Sequence, residues 1–304
     1  MKKQCEVCGG TDVLSLDEHF RDVDMVSCTQ CGLVWNRNMA EEPEQLEFYQ
    51  EHNRAEGCVS RRYLVSMLSR AASAVEFLGS NLKPGMRHLD VGCADGTLLS
   101  LTRAQGLDVL GLELDIHFSQ FARDARHLEV LPMTLDSAPL EPTSFDLISF
   151  VHVVEHLVYP TRVLADAREL LREDGLLYLE VPNLRQPLPR LRHFFRPKHN
   201  FYFTANTLRA VASKSGFTPL QVGYSRRDSS VQLLARKNRS DETAPATTGA
   251  PLWRDDAHKI KAKVQRERNR HYLLLRLLFT RKLRQEKAKR WAMELYGDLL
   301  PKIP

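Results

Sequence analysis

Apolar and polar residues follow two different periods along the middle of the chain. Short apolar runs, typical of buried strands, alternate with stretches in which apolar residues return every three or four positions, as on one face of a helix. The predicted strands lie at residues 87–91, 108–112, 128–131, 144–150 and 176–183, with helices at 97–105 and 160–171 and a final hairpin of residues 217–224 and 230–235. This order predicts an α/β fold whose largely parallel sheet has helices on both faces.

The segment before this region carries two Cys-x-x-Cys-Gly units. They contain Cys5 with Cys8 and Cys28 with Cys31, and short strands are predicted between them. Each unit brings two thiolates together at a glycine turn, and four thiolates complete a closed tetrahedral zinc site. Because a closed site has no open position for water or substrate, we expect structural Zn²⁺. The alternative is four unligated core cysteines.

The segments around the predicted sheet differ in composition. Residues 41–80 are predicted to be helical, with a short helix at 44–50 and a longer one capped by Ser60. Residues 240–252 have a linker composition, and a basic tail follows, since residues 251–304 hold 15 Lys and Arg against 6 Asp and Glu. The predicted parts are a zinc ribbon (1–38), a helical cap (39–82), the α/β domain (83–239), the linker (240–252) and a basic helical tail (253–304).

A glycine-containing loop follows the first predicted strand. The strand ends at Asp90, and Gly92 and Gly96 then allow a tight turn before a helix begins, which is typical of a strand-loop-helix cofactor site. The spacing differs from that of dinucleotide enzymes and suits a sulfonium cofactor whose ammonium group Asp90 can orient. Glu113 ends the second strand, where a carboxylate can accept hydrogen bonds from ribose hydroxyls. The alternatives are that the loop is an ordinary strand-to-helix turn and that Glu113 is a solvated surface acid. Asp115 is the other candidate for the ribose-binding carboxylate.

This loop resembles motif I of the class I S-adenosylmethionine-dependent methyltransferases. The resemblance extends over residues 5–235 and is closest to a subgroup with an N-terminal four-cysteine ribbon that includes sugar methyltransferases. It implies a Rossmann-like seven-stranded sheet and S-adenosyl-L-methionine as cofactor. The residues predicted to bind the cofactor, including the family's adenine-side loop, are Asp90, Gly92, Cys93, Gly96, Glu113, Leu135, Asp136 and His152.

Three polar residues interrupt the apolar run at the end of the fourth strand. His152, Glu155 and His156 should face the chemistry, because ligands bind outside the carboxyl ends of parallel strands. The resembled family commonly has Glu-His-Leu here, and in some O-methyltransferases this group is thought to hold a divalent metal. His152 takes the place of the family's earlier acid, which favours proton abstraction by an imidazole. His199, in a further family-like string, is the second base candidate, and the catalytic set is His156, His152, His199 and Glu155.

A basic, aromatic segment follows the fifth predicted strand. Residues 186–200 are predicted to form a lid that grips an anionic acceptor, or else a solvated loop. The resemblance implies methyl transfer to an oxygen of a sugar, glycan or other polar small molecule. The alternatives are an RNA methyltransferase and a non-catalytic cofactor-binding scaffold, and nucleic acid is disfavoured because the ribbon is acidic.

The location of the protein is predicted from its apolar segments and from the tail. No run of 18 apolar residues spans a bilayer and no signal segment follows Met1, which predicts a cytoplasmic protein. The tail has three interpretations: a helix docked on its own body, a helix that contacts the inner membrane face peripherally, or an arm that binds nucleic acid.

Overall fold

Seven strands form the central sheet in the computed structural model, which describes residues 2, 4–20, 23–44, 59–185, 194–196, 198–225, 229–239, 253–269 and 274–301. The strands are β4 (Arg87–Val91), β5 (Asp108–Leu112), β6 (Val130–Leu131), β7 (Phe145–Val151), β8 (Leu171–Pro182), β10 (Phe217–Tyr224) and β11 (Ser230–Lys237). Their order in the sheet is β10-β11-β8-β7-β4-β5-β6. Strands β4 to β8 pair in parallel, and β10 and β11 form an antiparallel hairpin beside β8. The predicted α/β class is confirmed.

Helices cover both faces of this sheet because alternate residues of its strands point to opposite sides. On one face Leu147, Tyr178 and Leu234 pack with the helices α1 (Arg61–Leu78) and α2 (Thr97–Arg103). On the other face Ile148, Leu177 and Leu233 pack with α4 (Pro160–Leu170) and α5 (Ala205–Lys214). Helix α3 (Ile116–Arg126), whose position the sequence pattern did not give, connects β5 to β6.

Two element boundaries show how local sequence sets the fold. The Ser60 side chain accepts a hydrogen bond from the Tyr63 amide, as its predicted capping role requires. Strand β8 begins at Leu171 and not at residue 176, because α4 ends directly in an extended residue with no intervening loop. The predicted helix at 44–50 lies almost entirely outside the described residues, and most of the predicted lid does too.

The N-terminal segment forms a second, four-stranded antiparallel sheet. Strands β1 (Val13–Phe20), β2 (Val23–Cys28) and β3 (Val34–Asn36) follow the predicted ribbon. A fourth strand, β9 (Phe201–Tyr202), is distant in sequence and joins this sheet by pairing with β3. Trp35 and the cysteines pack in the same cluster of buried residues as Phe150 and Phe203. The ribbon therefore shares the core of the central sheet.

The basic tail folds back on the body of the protein. Its described residues include the α-helices α6 (Ala257–Asn269) and α7 (Leu274–Tyr296), as the predicted helical tail requires. Ile260 and Val264 of α6 are buried with residues of β1 and β2, and Ala292 of α7 is buried with residues of α1. The docked arrangement agrees with the first of the three interpretations of the tail. Within the described part of the chain, no helix combines the length and the apolar character needed to cross a bilayer.

Candidate active site

A cavity of about 1080 Å³ opens at the carboxyl ends of the parallel strands. Its wall includes Gly92 after β4, Glu113 after β5, and the segment from His152 to Val158 after β7. Helix α1 closes one side with Tyr63, Met67 and Arg70. Strand ends, the β4 loop and a capping helix therefore surround one space, as expected for a ligand site in an open parallel sheet.

The glycines of the β4 loop are required by their backbone conformation and by close packing. Gly92 has φ +70° and Gly96 has φ +73°, in the left-handed region that favours glycine. A Cβ at Gly92 would lie 2.5 Å from the Val153 side chain, and one at Gly96 would lie 2.4 Å from that of Leu128. The amides of Gly92 and Cys93 both donate to the Leu112 carbonyl, which fixes the loop against β5.

Glu113 connects this loop to the segment after β5. Its two carboxylate oxygens accept hydrogen bonds from the amides of Ala94 and Asp115, at 2.8 Å each. Leu135 and Asp136 lie across the cavity wall, Leu135 buried and Asp136 exposed. Five of the residues predicted to bind the cofactor thus line one cavity: Gly92, Glu113, Leu135, Asp136 and His152.

Asp90 lies buried beneath the loop at the end of a chain of hydrogen bonds. Ser149 Oγ donates to Asp90 Oδ1 at 2.5 Å, and His88 Nε2 lies 2.8 Å from the same hydroxyl. Burial raises the pKa of Asp90 to about 7, an effect that the charges of Glu113 and Asp95 reinforce and the Ser149 hydrogen bond opposes. Burial also lowers the pKa of His88 to about 3, so this imidazole is neutral.

Cys93 points its side chain away from the ligand space. The thiol belongs to a buried cluster with Leu99, Ala122 and Leu128. A contact between Cys93 and a cofactor would therefore involve its backbone.

His152 is held by two buried carboxylates. Its Nδ1 lies 3.2 Å from Glu155 Oε1, and its Nε2 lies 3.6 Å from Glu180 Oε1 and 3.2 Å from Ser230 Oγ. Burial and the charge of Arg70 act to lower its pKa, but the hydrogen bond to Glu155 and the nearby Glu180 carboxylate outweigh them and raise it. Burial acts to raise the pKa of Glu155, yet His152 and the neighbouring histidines lower it to about 2.

His156 and His199 contact each other in the cavity wall. The two rings contact edge to face with centroids 4.8 Å apart. His156 Nδ1 lies 2.8 Å from the Lys198 carbonyl oxygen, so it carries a proton and the neutral ring has its lone pair on Nε2. Burial lowers the pKa of His199 to about 3.

Glu155, His156 and His199 also have the geometry of a metal-ligand set. One ligand atom from each lies within 4.8 Å of the other two, and Glu155 Oε2 and His199 Nδ1 are buried without a hydrogen bond. A carboxylate and two imidazoles suit a divalent transition metal. Such an ion, bound by these three residues, would supply Lewis acidity at the acceptor end of the cavity.

The four N-terminal cysteines converge as the zinc prediction requires. Sulfur distances are 3.4 Å from Cys5 to Cys31 and 3.5 Å from Cys8 to Cys28, and none of the described cysteines is in a disulfide. Thiolates bound to one Zn²⁺ at about 2.3 Å lie about 3.8 Å apart, so the cluster fits the ion. The amides of Gly9 and Gly32 donate to the carbonyls of Cys5 and Cys28 and close the two knuckles.

Sequence reasoning missed a cation in the cavity wall. Arg70 lies among the apolar positions of α1, between Met67 and Ala71, and faces the cavity half-buried. Its charge acts on both His152 and Glu180. The sequence signal that could have indicated this cation is the arginine that interrupts the apolar face of the helix.

The fold and the site together define a class I S-adenosylmethionine-dependent methyltransferase. Residues 62–222, more than half of the chain, match the protein family described as Methyltransferase domain, and the chain belongs to this family.

Known relatives agree with this assignment. The ubiquinone biosynthesis O-methyltransferase of Paraburkholderia phymatum is 29% identical over 107 residues, which cover 33% of this chain and 45% of that protein. The chain thus spans less than half the length of this curated relative.

Two solved structures share the fold. The 1,6-didemethyltoxoflavin-N1-methyltransferase of Burkholderia thailandensis, solved with S-adenosylhomocysteine, has a TM-score of 0.51 at 16% identity and covers 73% of this chain and 99% of that one. The PH0226 protein of Pyrococcus horikoshii has a TM-score of 0.51 at 18% identity and covers 64% of this chain and 99% of that one.

Proposed function

We propose that this protein transfers a methyl group from S-adenosylmethionine to an oxygen of a sugar, glycan or other polar small molecule. The observation that carries the proposal is one cavity that is lined both by the Gly92 loop with Glu113 and by Glu155, His156 and His199. When bound, the cofactor supplies an electrophilic methyl group on a sulfonium. The protein then has to hold an acceptor oxygen in line with it and accept a proton.

The cofactor half of the cavity offers a partner for each end of the cofactor. The Glu113 carboxylate suits the ribose hydroxyls, and Leu135 and Asp136 suit the adenine. Asp90, when ionised, attracts the ammonium group of the methionine tail. Arg70 lines the same cavity as Gly92 and His152 and suits the tail carboxylate.

His156 is the best proton acceptor of the three candidate histidines. The carboxylates of Glu155 and Glu180 hold the proton of His152, whose pKa is raised. His199 is a weak base because burial lowers its pKa to about 3. His156 lines the cavity and directs its donor nitrogen at the Lys198 carbonyl, so when no metal ion is bound Nε2 is the nitrogen that can receive a proton from an acceptor hydroxyl.

Two further observations support a polar acceptor and an oxygen nucleophile. Arg196 and Lys198 line the cavity beside His199, where their charges would attract an anionic group on the acceptor. The curated relative from Paraburkholderia phymatum is named as an O-methyltransferase.

The four cysteines are proposed to bind a structural Zn²⁺, since a closed thiolate set leaves no position for substrate.

Calorimetric titration with S-adenosylhomocysteine tests the cofactor half. We expect micromolar binding by the full chain, loss of most of this affinity in Asp90→Ala and Arg70→Met, and no change in Arg62→Met, which replaces an exposed arginine of the same helix.

Transfer of labelled methyl from S-adenosylmethionine to nucleotide sugars and lipid-linked glycans tests the acceptor class. A folded protein that binds no S-adenosylhomocysteine would contradict the proposal at its first step. Binding combined with methylation of RNA, and of none of these acceptors, would contradict the acceptor class only.

A further inference from the structure

We infer that the N-terminal ribbon positions the proton-accepting half of the site, and that Asn200 is the positioning residue through which it acts. The inference rests on the proposed function, because it assigns a role to residues around His156. Its first support is the pairing of β3 with β9, which places Trp35 opposite Phe201 and Val34 opposite Tyr202. His199 and Asn200 lead directly into β9, so the edge of the ribbon sheet fixes the position of the residues just before it.

Asn200 connects the ribbon to the segment that carries Glu155 and His156. Its carbonyl accepts a hydrogen bond from the Asn36 amide of the ribbon at 2.9 Å. Its own amide donates to the Glu155 carbonyl at 2.8 Å, and its side-chain Nδ2 donates to the His156 carbonyl at 2.7 Å. Asn200 is 1% exposed, so water cannot readily replace these bonds.

The start of the ribbon holds the same segment a few residues further on. Lys2 Nζ donates to the Val158 carbonyl at 2.7 Å and lies over the rings of Tyr159 and Phe201. Glu6 accepts a hydrogen bond from the Thr161 hydroxyl at 2.5 Å and pairs with Lys2. The ribbon therefore contacts residues on both sides of His156: Asn200 on one, and residues 158–161 on the other.

The cofactor half is held by contacts of a different origin. The Gly92 loop is fixed by the Leu112 carbonyl and by the bond from Ala94 to Glu113, all within the central sheet and its loops. Disturbing the ribbon contacts should therefore change the surroundings of His156 and His199 and leave cofactor affinity intact.

Amide hydrogen exchange and histidine NMR on the full, zinc-loaded chain test this separation without a known acceptor. In Asn200→Asp, where an oxygen replaces the amide donor that faces the His156 carbonyl, we expect the amides of His156, Asn200 and Phe201 to exchange about tenfold faster. The ring signals of His156 and His199 should shift. Affinity for S-adenosylhomocysteine should stay within about twofold of the original chain.

Two further variants keep the test decisive if Asn200→Asp does not fold. Asn200→Ser removes the side-chain donor and keeps the backbone bonds, and Lys2→Met acts from the ribbon while keeping an apolar stem. The matched controls are Asn238→Asp, a buried asparagine beyond the other end of the sheet, and Lys214→Met, an exposed lysine at the end of α5. Neither control should alter the histidine signals.

Two outcomes would overturn the inference. One is unchanged exchange and unchanged histidine signals in Asn200→Ser and Lys2→Met. The other is a loss of S-adenosylhomocysteine affinity in these variants as large as the change in amide exchange, which would show that these contacts support the whole site. Failure of the unaltered chain to bind S-adenosylhomocysteine would instead contradict the proposed function, and the exchange comparison would still decide the role of the ribbon.

Discussion

The three histidines of this cavity lie in three different environments. His152 lies between two carboxylates, His199 is desolvated, and His156 donates to a backbone carbonyl. The sequence placed all three as base candidates because it shows residue types and approximate strand ends. It could not rank them, since the rank depends on Glu180, Ser230 and Lys198, which come from separate parts of the chain.

The ranking predicts that His156→Asn is the most damaging of the three substitutions for turnover. Loss of a positioned general base typically lowers the rate by about 10²–10⁴-fold, and binding of S-adenosylhomocysteine should persist. The measurement is the turnover number with an acceptor identified in the methyl-transfer screen, with His152→Asn as the comparison. Equal losses of turnover in both variants would show that His156 is not the principal base.

Asp90 predicts a pH dependence of cofactor binding. Its pKa is raised to about 7, so lowering the pH from about 8 to about 6 protonates most of the Asp90 population and removes its attraction for an ammonium group. We expect the affinity for S-adenosylhomocysteine to fall about tenfold over that range. In Asp90→Asn this dependence should be absent, and calorimetry at a series of pH values measures both.

The raised pKa of Asp90 has the opposite effect on the stability of the unliganded protein, which falls as the pH rises towards 7. Because the native state holds the Asp90 proton more tightly than the unfolded chain, this group favours folding less as the pH rises towards 7. A pH-independent affinity in the unaltered chain would contradict the proposed role of Asp90 in binding the ammonium group.

At the scale of elements, the strands and the Ser60 cap could be predicted well because their signals are local. Runs of apolar residues and a capping serine act within a few positions. Strand β9 was missed because two residues carry no periodicity and the strand exists only through its pairing with β3. The position of α3 was missed for a related reason, since its buried Arg126 obscures its apolar face.

That arginine forms an ion pair that joins the β4 loop to α3. Arg126 lies 2.7 Å from Asp95, and both side chains are 2% exposed. Asp95 also accepts a hydrogen bond from Thr97 at the start of α2. The pair therefore fixes the end of the cofactor loop to two helices.

Asp95→Ala should lower the free energy of unfolding by about 3–5 kcal/mol, because it leaves the Arg126 charge buried without its partner. The control is Asp108→Ala, which removes the exposed partner of Arg87 and should cost at most about 1 kcal/mol. Denaturant titrations of the two variants measure the difference. Similar losses of stability would show that the buried pair contributes no more than the surface pair.

At the scale of the whole molecule, the ribbon and the central sheet form one packed body. The cysteines, Trp35, Phe150 and Phe203 belong to one cluster of buried residues. The zinc prediction could be made from sequence because the cysteine spacing encodes it locally. The shared core could not be predicted, because nothing in the sequence around Trp35 indicates which strand it will meet.

We therefore expect one zinc ion per chain and a single unfolding transition. Removing zinc with a chelator should lower the midpoint of that transition, since the cysteines that would bind the ion pack in the same core as the central sheet. Metal analysis and scanning calorimetry of the loaded and stripped protein measure both quantities. A stripped protein with an unchanged midpoint would contradict the structural role of the metal.

The contact between the ribbon and the start of the tail has a consequence for synthesis. The amide of Asp255 donates to the carbonyl of Cys31, and a Cβ at Gly32 would lie 2.5 Å from the Asp255 carbonyl oxygen. Asp255 also contacts Arg185 and Thr204. The ribbon precedes β9 and Asp255 in the chain, so it can meet them only after strands β4 to β8 have been translated. A growing chain therefore holds a ribbon whose edge strand β3 stays exposed until β9 has been translated, and this is the period in which assistance from a chaperone would matter most.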